Sequence, residues 1–354
     1  MAVEGRGHGL LPDPKDHKDK WVDMAKMEMS AGKLESKYIL VGNDGKYKPK
    51  VYAQGEPGTC TTNAAAAAYR YELQHQGKPD YLPSRLFLYY VARIPKTGAM
   101  KQREKLEEDN PDQAREMKEE ITYAEYYAGI AAAPPKTELL EDTGSNIREV
   151  VRILSHLGAP PEQGKVLTNR VPGTWPYDGE AKATKKPGDD EDTFEKDAVP
   201  AQAPDKACYE AAHNHFSLRY LRSEIDARCW KACIASGYPV IFGFRAYPSF
   251  DKITKDKPIA PTPTDKDVIP DNNPIIGHSV LAVGWDDALH WGPGEDQKGC
   301  FRVQNSWGDD WADDGFYWMP YTWLTMDNPN KDDKQNSEKM IINPWTLMGS
   351  SDVF

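Results

Sequence analysis

The pattern of apolar and polar positions changes character several times along the chain. Residues 1–50 mix charged and turn-forming residues with isolated apolar ones, around a turn at Asn43-Asp44-Gly45, and read as an ordered arm. From Thr59 the pattern becomes helical. Cys60-Thr61-Thr62-Asn63 lead into five consecutive alanines and then Tyr69 to Leu73, which predicts a helix that is small on one side and aromatic further along, with Thr59 as its cap. Pro83 and Ser84 open a second helix over 84–93, and apolar residues every three or four positions predict a third over 147–157, ended by Gly158 and Pro160. Helices are also expected over 209–221 and 224–236, and strands over 240–246, 277–285, 300–304 and 315–319. Helices lead and strands follow, so the expected class is α+β in two lobes.

Two polar stretches interrupt this order. Residues 96–138 are charged, most densely from Lys101 to Glu120, contain Asn110-Pro111 and have few apolar anchors; they read as a solvated helical hairpin rather than a binding device. Residues 163–206 read as a surface excursion, most polar at 185–192.

Composition narrows the function. A length of 354 residues suits two lobes or one domain with insertions, and 39% hydrophobic residues suffice for a core. The formal charge of -11 argues against gripping a nucleic-acid backbone. No apolar run approaches the roughly 18 residues of a membrane span. Residues 1–9 lack the apolar core of a secretory signal, so a soluble, cytoplasmic product is expected. Five cysteines are too few for a disulfide framework, and Cys229 and Cys233, one helical turn apart, read as small buried side chains rather than a bridge or metal pair.

Three short strings carry candidate chemistry: Gln54-Gly55-Glu56-Pro57-Gly58-Thr59-Cys60, Gly277-His278-Ser279-Val280 and Gln304-Asn305-Ser306-Trp307-Gly308. Each residue alone also suits a plain structural role. Their order gives them meaning. Cys60 opens a helix, whose unsatisfied N–H groups and dipole favour a thiolate, and the Gly/Pro turn before it should leave the sulfur accessible. His278 stands at the mouth of an apolar strand, where a rigid backbone can hold an imidazole in a cleft. The Asn305 carbonyl can accept the imidazole N–H and fix its tautomer, with Trp307 as cover against water. The Gln54 amide can join the Cys60 N–H as an oxyanion donor. His213 and His215 diverge on a helix and make no metal pair, and His290 is expected in a solvent-facing loop.

These strings resemble the papain-like cysteine peptidases, and most closely their bacterial and viral branch. Residues 54–64 stand where that branch carries its nucleophile motif. Further similarities are Leu11-Pro12-Asp13 with His17 and Asp19, Pro83 to Phe87, Asp142 to Arg148, Trp175-Pro176-Tyr177 and Gly277 to Gly284. The resemblance implies a helical lobe and an antiparallel β-barrel lobe with the site in the cleft between them. Its parts would be an arm over 1–50 packed on the core, a helical lobe over 51–162 with 96–138 inserted, a polar loop insertion over 163–206, and the barrel lobe over 207–354. It implies Cys60 as nucleophile, His278 as base and then acid, Asn305 as orienting residue and Gln54 as oxyanion donor. The partner would be a peptide or protein substrate, with no metal or organic cofactor. A catalytically restrained binding protein and a tail-gated exopeptidase are the alternatives.

The departures are specific. Pro57 replaces the bridging cysteine three before the nucleophile, Thr61 the usual Trp, and Ala312 a frequent Gly. His278 follows Cys60 by 218 residues, against about 130–150 in papain-like enzymes, and the two polar stretches make up the excess. With 59 residues before Cys60, a large inhibitory domain would not fit, so any restraint is expected from an insertion, from a tail over 343–354 or from a separate protein.

Overall fold

The computed structural model describes residues 9–14, 16, 19–40, 50–96, 123–185, 192–213, 219–264, 277–327 and 339–349. The turn at Asn43-Asp44-Gly45, His17, His215, the charged run from Lys101 to Glu120 and most of the polar run over 185–192 lie outside them. In chain order the elements are β1 (Leu10–Leu11), α1 (Met24–Ala31), β2 (Lys37–Ile39), α2 (Cys60–His75), α3 (Arg85–Ala92), α4 (Tyr123–Ala132) and β3 (Ser145–Asn146). There follow α5 (Ile147–His156), α6 (Lys206–Ala212), β4 (Arg219–Arg222), α7 (Ala227–Ala235), β5 (Val240–Arg245), β6 (Gly277–His290), β7 (Lys298–Gln304), β8 (Phe316–Pro320) and β9 (Ile341–Met348). The mixed α+β class expected from the sequence holds.

The strands from β4 onward form an antiparallel sheet ordered β4-β9-β5-β6-β7-β8, with β2 also paired to β6. Period-two alternation sorts its side chains onto two faces. Ile241, Leu281, Val283, Trp345 and Leu347 pack on the helical layer with α2, α3 and α5. Phe242, Phe244, Val280, Ala282, Phe301 and Val303 face the other way, toward α7 and α1. Ala64 to Ala68 of α2 are all buried, and their small side chains let the helix lie close to β6.

Three differences from the sequence pattern have tertiary causes. The helix expected over 209–221 stops at Ala212, and Arg219 to Arg222 become β4 because β9 offers a backbone ladder. Strand β9 itself was hidden by Asn343-Pro344, a poor strand sequence. Asn343 takes a left-handed φ of 51°, and the register between β5 and β9 shifts there, so a bulge absorbs the break. Residues 343–348 of the segment expected as a tail therefore sit inside the sheet. Finally, the stretch over 163–206 is not a mere surface excursion, since Trp175, Tyr177, Phe194, Val199 and Ala201 are buried in the helical-lobe core. No described helix is long and apolar enough to cross a membrane.

The arm is anchored by buried charge. Asp13 accepts the Arg148 backbone N–H at 3.0 Å and the Trp345 indole N–H at 2.7 Å. Asp19 pairs with Arg148 at 2.5 Å and Arg222 at 3.0 Å, and Asp16 pairs with Arg152. Burial pushes the Asp13 carboxyl above its ordinary range despite the neighbouring Arg148 and Arg222. Removing one partner of such a pair leaves a charge stranded out of water. Arg148→Ala should therefore lower unfolding free energy by about 3–5 kcal/mol, measured by urea denaturation. A loss under about 1 kcal/mol would show that these pairs behave as solvated surface pairs.

Candidate active site

Cys60 is the first residue of α2, and the turn before it is stitched to the segment that follows β7. The Gln54 N–H donates to the Ser306 carbonyl at 2.7 Å, and the Gly308 N–H to the Tyr52 carbonyl at 2.9 Å. Thr59 occupies the cap position but makes no side-chain cap bond. Its hydroxyl instead lies 2.7 Å from the Tyr177 hydroxyl and accepts from the Asn63 amide at 3.0 Å. Arg85 donates to the Asn63 carbonyl at 2.6 Å, pairs with Glu162 at 2.7 Å, and lies 3.4 Å and 4.2 Å from the ring centres of Tyr177 and Tyr52. The start of α2 is thus pinned by a buried cation and two phenols.

His278 enters from the opposite lobe as the second residue of β6, opposite Phe244 of β5. Its Nε2 lies 2.8 Å from Asn305 Oδ1. The Ser306 backbone N–H also donates to that oxygen at 2.8 Å. The atom is therefore an acceptor, so Nε2 carries the proton and Nδ1 is the basic nitrogen. The Trp307 ring centre lies 5.0 Å from that of His278, and Phe244 covers the imidazole edge-on at 5.7 Å. Gln54 is fully buried: its amide donates to the Pro57 carbonyl at 3.0 Å and its own carbonyl accepts the Ser306 hydroxyl at 2.8 Å. The backbone of Ser279, the residue after His278, lies near enough to the Cys60 sulfur to favour its thiolate. All five singled-out residues, Cys60, His278, Asn305, Gln54 and Trp307, thus converge on one cleft between the lobes.

The accessible, acidified thiol expected from the sequence is corrected by the arm. Gly9 donates its backbone N–H to Cys60 Sγ at 3.4 Å, and its carbonyl accepts the Ser145 N–H at 2.7 Å. β1 continues parallel to β3, pairing Leu10 with Ser145 and Leu11 with Asn146. A Cβ on Gly9 would stand 1.8 Å from the Gly58 carbonyl oxygen, so only glycine passes this point. The Leu10 side chain fills the space above Gly243 of β5, where a Cβ would stand 2.3 Å from it. Cys60 is consequently fully buried, and that burial raises its thiol pKa more than the Gly9 N–H and the Ser279 backbone lower it. Among the described residues it is the arm that lies over the sulfur.

Several contributors escaped the sequence reading. Ser306 anchors Gln54, Tyr177 supports Thr59, and Gly144-Ser145 forms the rung that receives the arm. Each stood inside a recognised string, but only spatial contact assigns it a task. His290 is exposed as expected, though it ends β6 rather than standing in a loop.

Residues 190–326 match the model of the papain family cysteine proteases, a span that holds His278 and Asn305. The chain is 28% identical over 286 residues to an uncharacterised peptidase C1-like protein of Acanthamoeba polyphaga mimivirus, covering 78% of this chain and 65% of that protein's length. Among solved structures it is similar to xylellain, a cysteine protease from Xylella fastidiosa, with 26% identity, 99% of each chain covered and a TM-score of 0.64. It shares its fold with procathepsin B from Trypanosoma congolense at 10% identity, with 97% of this chain and 87% of that one covered and a TM-score of 0.52. With Cys60 at the head of α2 and His278 at the head of β6, the chain is similar in fold and in the matched span to the papain family cysteine proteases.

Proposed function

We propose that this chain is a cysteine peptidase acting on peptide or protein substrates through Cys60, His278, Asn305 and Gln54. The observation that carries this reading is the fixed tautomer of His278. With Nε2–H committed to Asn305, Nδ1 is the nitrogen able to exchange a proton with sulfur. Cys60 gives its proton to Nδ1, and the thiolate attacks the substrate carbonyl. The oxyanion develops beside the Cys60 N–H at the start of α2 and the Gln54 amide. The imidazolium then protonates the leaving amine, leaving a thioester on Cys60. A water deprotonated by His278 hydrolyses that thioester and releases the acid.

Substrate and arm compete for one place, because Gly9 and Leu10 lie against the sulfur and the Ser145 rung. The arm has to leave before a peptide enters. With it gone, water and the helix N-terminus favour the thiolate that burial now suppresses.

Two measurements test this. Digestion of a mixed peptide library should show cleavage by the wild type, none by Cys60→Ala, and a kcat at least about 100-fold lower for His278→Ala. Cleavage retained by Cys60→Ala would end the proposal. Leu10→Asp should loosen the arm, since a buried leucine contributes about 1.5–3 kcal/mol. Iodoacetamide should then label Cys60 about 10-fold faster or more, as read by peptide mass mapping. An unchanged labelling rate would show that the arm does not control access to the thiol.

A further inference from the structure

The turn that carries Cys60 and the rung that receives the peptide chain are separate in sequence, and one buried carboxylate touches the support of both. Asp142 accepts the Gly58 backbone N–H with both oxygens, at 3.0 and 3.2 Å. Gly58 lies two residues before the nucleophile. The same carboxylate accepts the Tyr89 hydroxyl in a short hydrogen bond, and that hydroxyl in turn accepts the Gly144 N–H at 3.1 Å. Gly144 immediately precedes Ser145, the residue that bonds the arm.

The carboxylate is itself held from several sides. Its own backbone N–H donates to the Asp192 carbonyl at 2.9 Å. Arg93 lies 4.0 Å over the Tyr89 ring and donates to the carbonyls of Leu139 at 3.1 Å and Glu141 at 2.5 Å. All five cysteines are free thiols and Pro57 occupies the position of the family's bridging cysteine, so no disulfide ties this turn to the rest of the lobe. Hydrogen bonds have to do so.

We propose that Asp142 is a positioning residue of the active site, its carboxylate locking the Gly58 turn that presents Cys60 to the Gly144-Ser145 rung through the Tyr89 hydroxyl. A carboxylate suits the task because it accepts several hydrogen bonds at once and donates none, so both neighbours are drawn to one point. Burial raises its pKa, while the Tyr89 and Gly58 bonds and the Arg93 charge oppose that rise, in line with a group retained for its contacts. The site reading of Cys60 is assumed only for the kinetic part of the test.

The test uses the full chain as Asp142→Ala, Asp142→Asn and Tyr89→Phe, with two readouts. Amide hydrogen exchange at Gly58 should speed up about 10-fold or more in Asp142→Ala, with α5 and β6 keeping wild-type protection. Asp142→Asn keeps an acceptor for Gly58 and should restore most of that protection. Kinetics are taken per titrated Cys60, with the best fluorogenic peptide amide from the library digestion. Asp142→Ala should lose about 10-fold in kcat with KM within about twofold, whereas Tyr89→Phe, which frees the Gly144 rung, should act mainly on KM. A residue important only for folding would lower the titratable fraction and leave per-site kcat and KM unchanged. Wild-type exchange at Gly58 in Asp142→Ala, or unchanged per-site kinetics, overturns the proposal. If the wild type cleaves no peptide, the peptidase reading fails and the exchange at Gly58 alone decides for or against the brace.

Discussion

The close approach of α2 to β6 is the constraint on which the rest of the site depends. Cys60 starts one element and His278 stands at the start of the other, so the separation of thiol and imidazole is set by what lies between helix and strand. Ala64 and Ala67, buried and facing Ser279 to Leu281, keep that layer thin. Larger side chains there would move the helix away from the sheet, and no local adjustment at the cleft could recover the geometry. Sequence composition in a helix interior thereby controls chemistry at its end.

Around this contact the protein uses polar ties where a covalent one is missing. The Gln54 turn is bonded to the segment after β7, Thr59 leans on Tyr177, and Arg85 links Asn63 to Glu162 while stacking between two phenols. These are buried groups with defined partners, and burial makes each partner costly to lose. The result is a preorganised N-terminus for α2, as the proposed nucleophile and oxyanion site require.

The arm changes the state of that site without changing its parts. Its backbone supplies an N–H to the sulfur, its carbonyl takes the rung, and its leucine fills the space above Gly243. Ion pairs at Asp16 and Asp19 fasten it some residues away from the chemistry. The same helix dipole that favours a thiolate is thereby set against desolvation, and desolvation wins while the arm is seated.

Much was legible in the residues themselves. The alanine run, the apolar period of α5 and the strands β5 to β8 follow from local pattern, and Cys60, His278, Asn305 and Gln54 were marked by strings whose chemistry is complete only as a set. Tertiary structure decided what local pattern does not encode. β9 exists because a bulge at Asn343-Pro344 lets an unpromising segment complete the sheet, and β4 exists because β9 is there to pair with it. The buried state of Cys60, the docking of the arm and the contacts of Asp142 each join residues far apart in the chain. Sequence alone marked the candidate side chains for the proposed chemistry, because residue type and helix or strand propensity are local. Their surroundings, and so the protonation of the thiol, were decided only by which distant segments the folded chain brings against them.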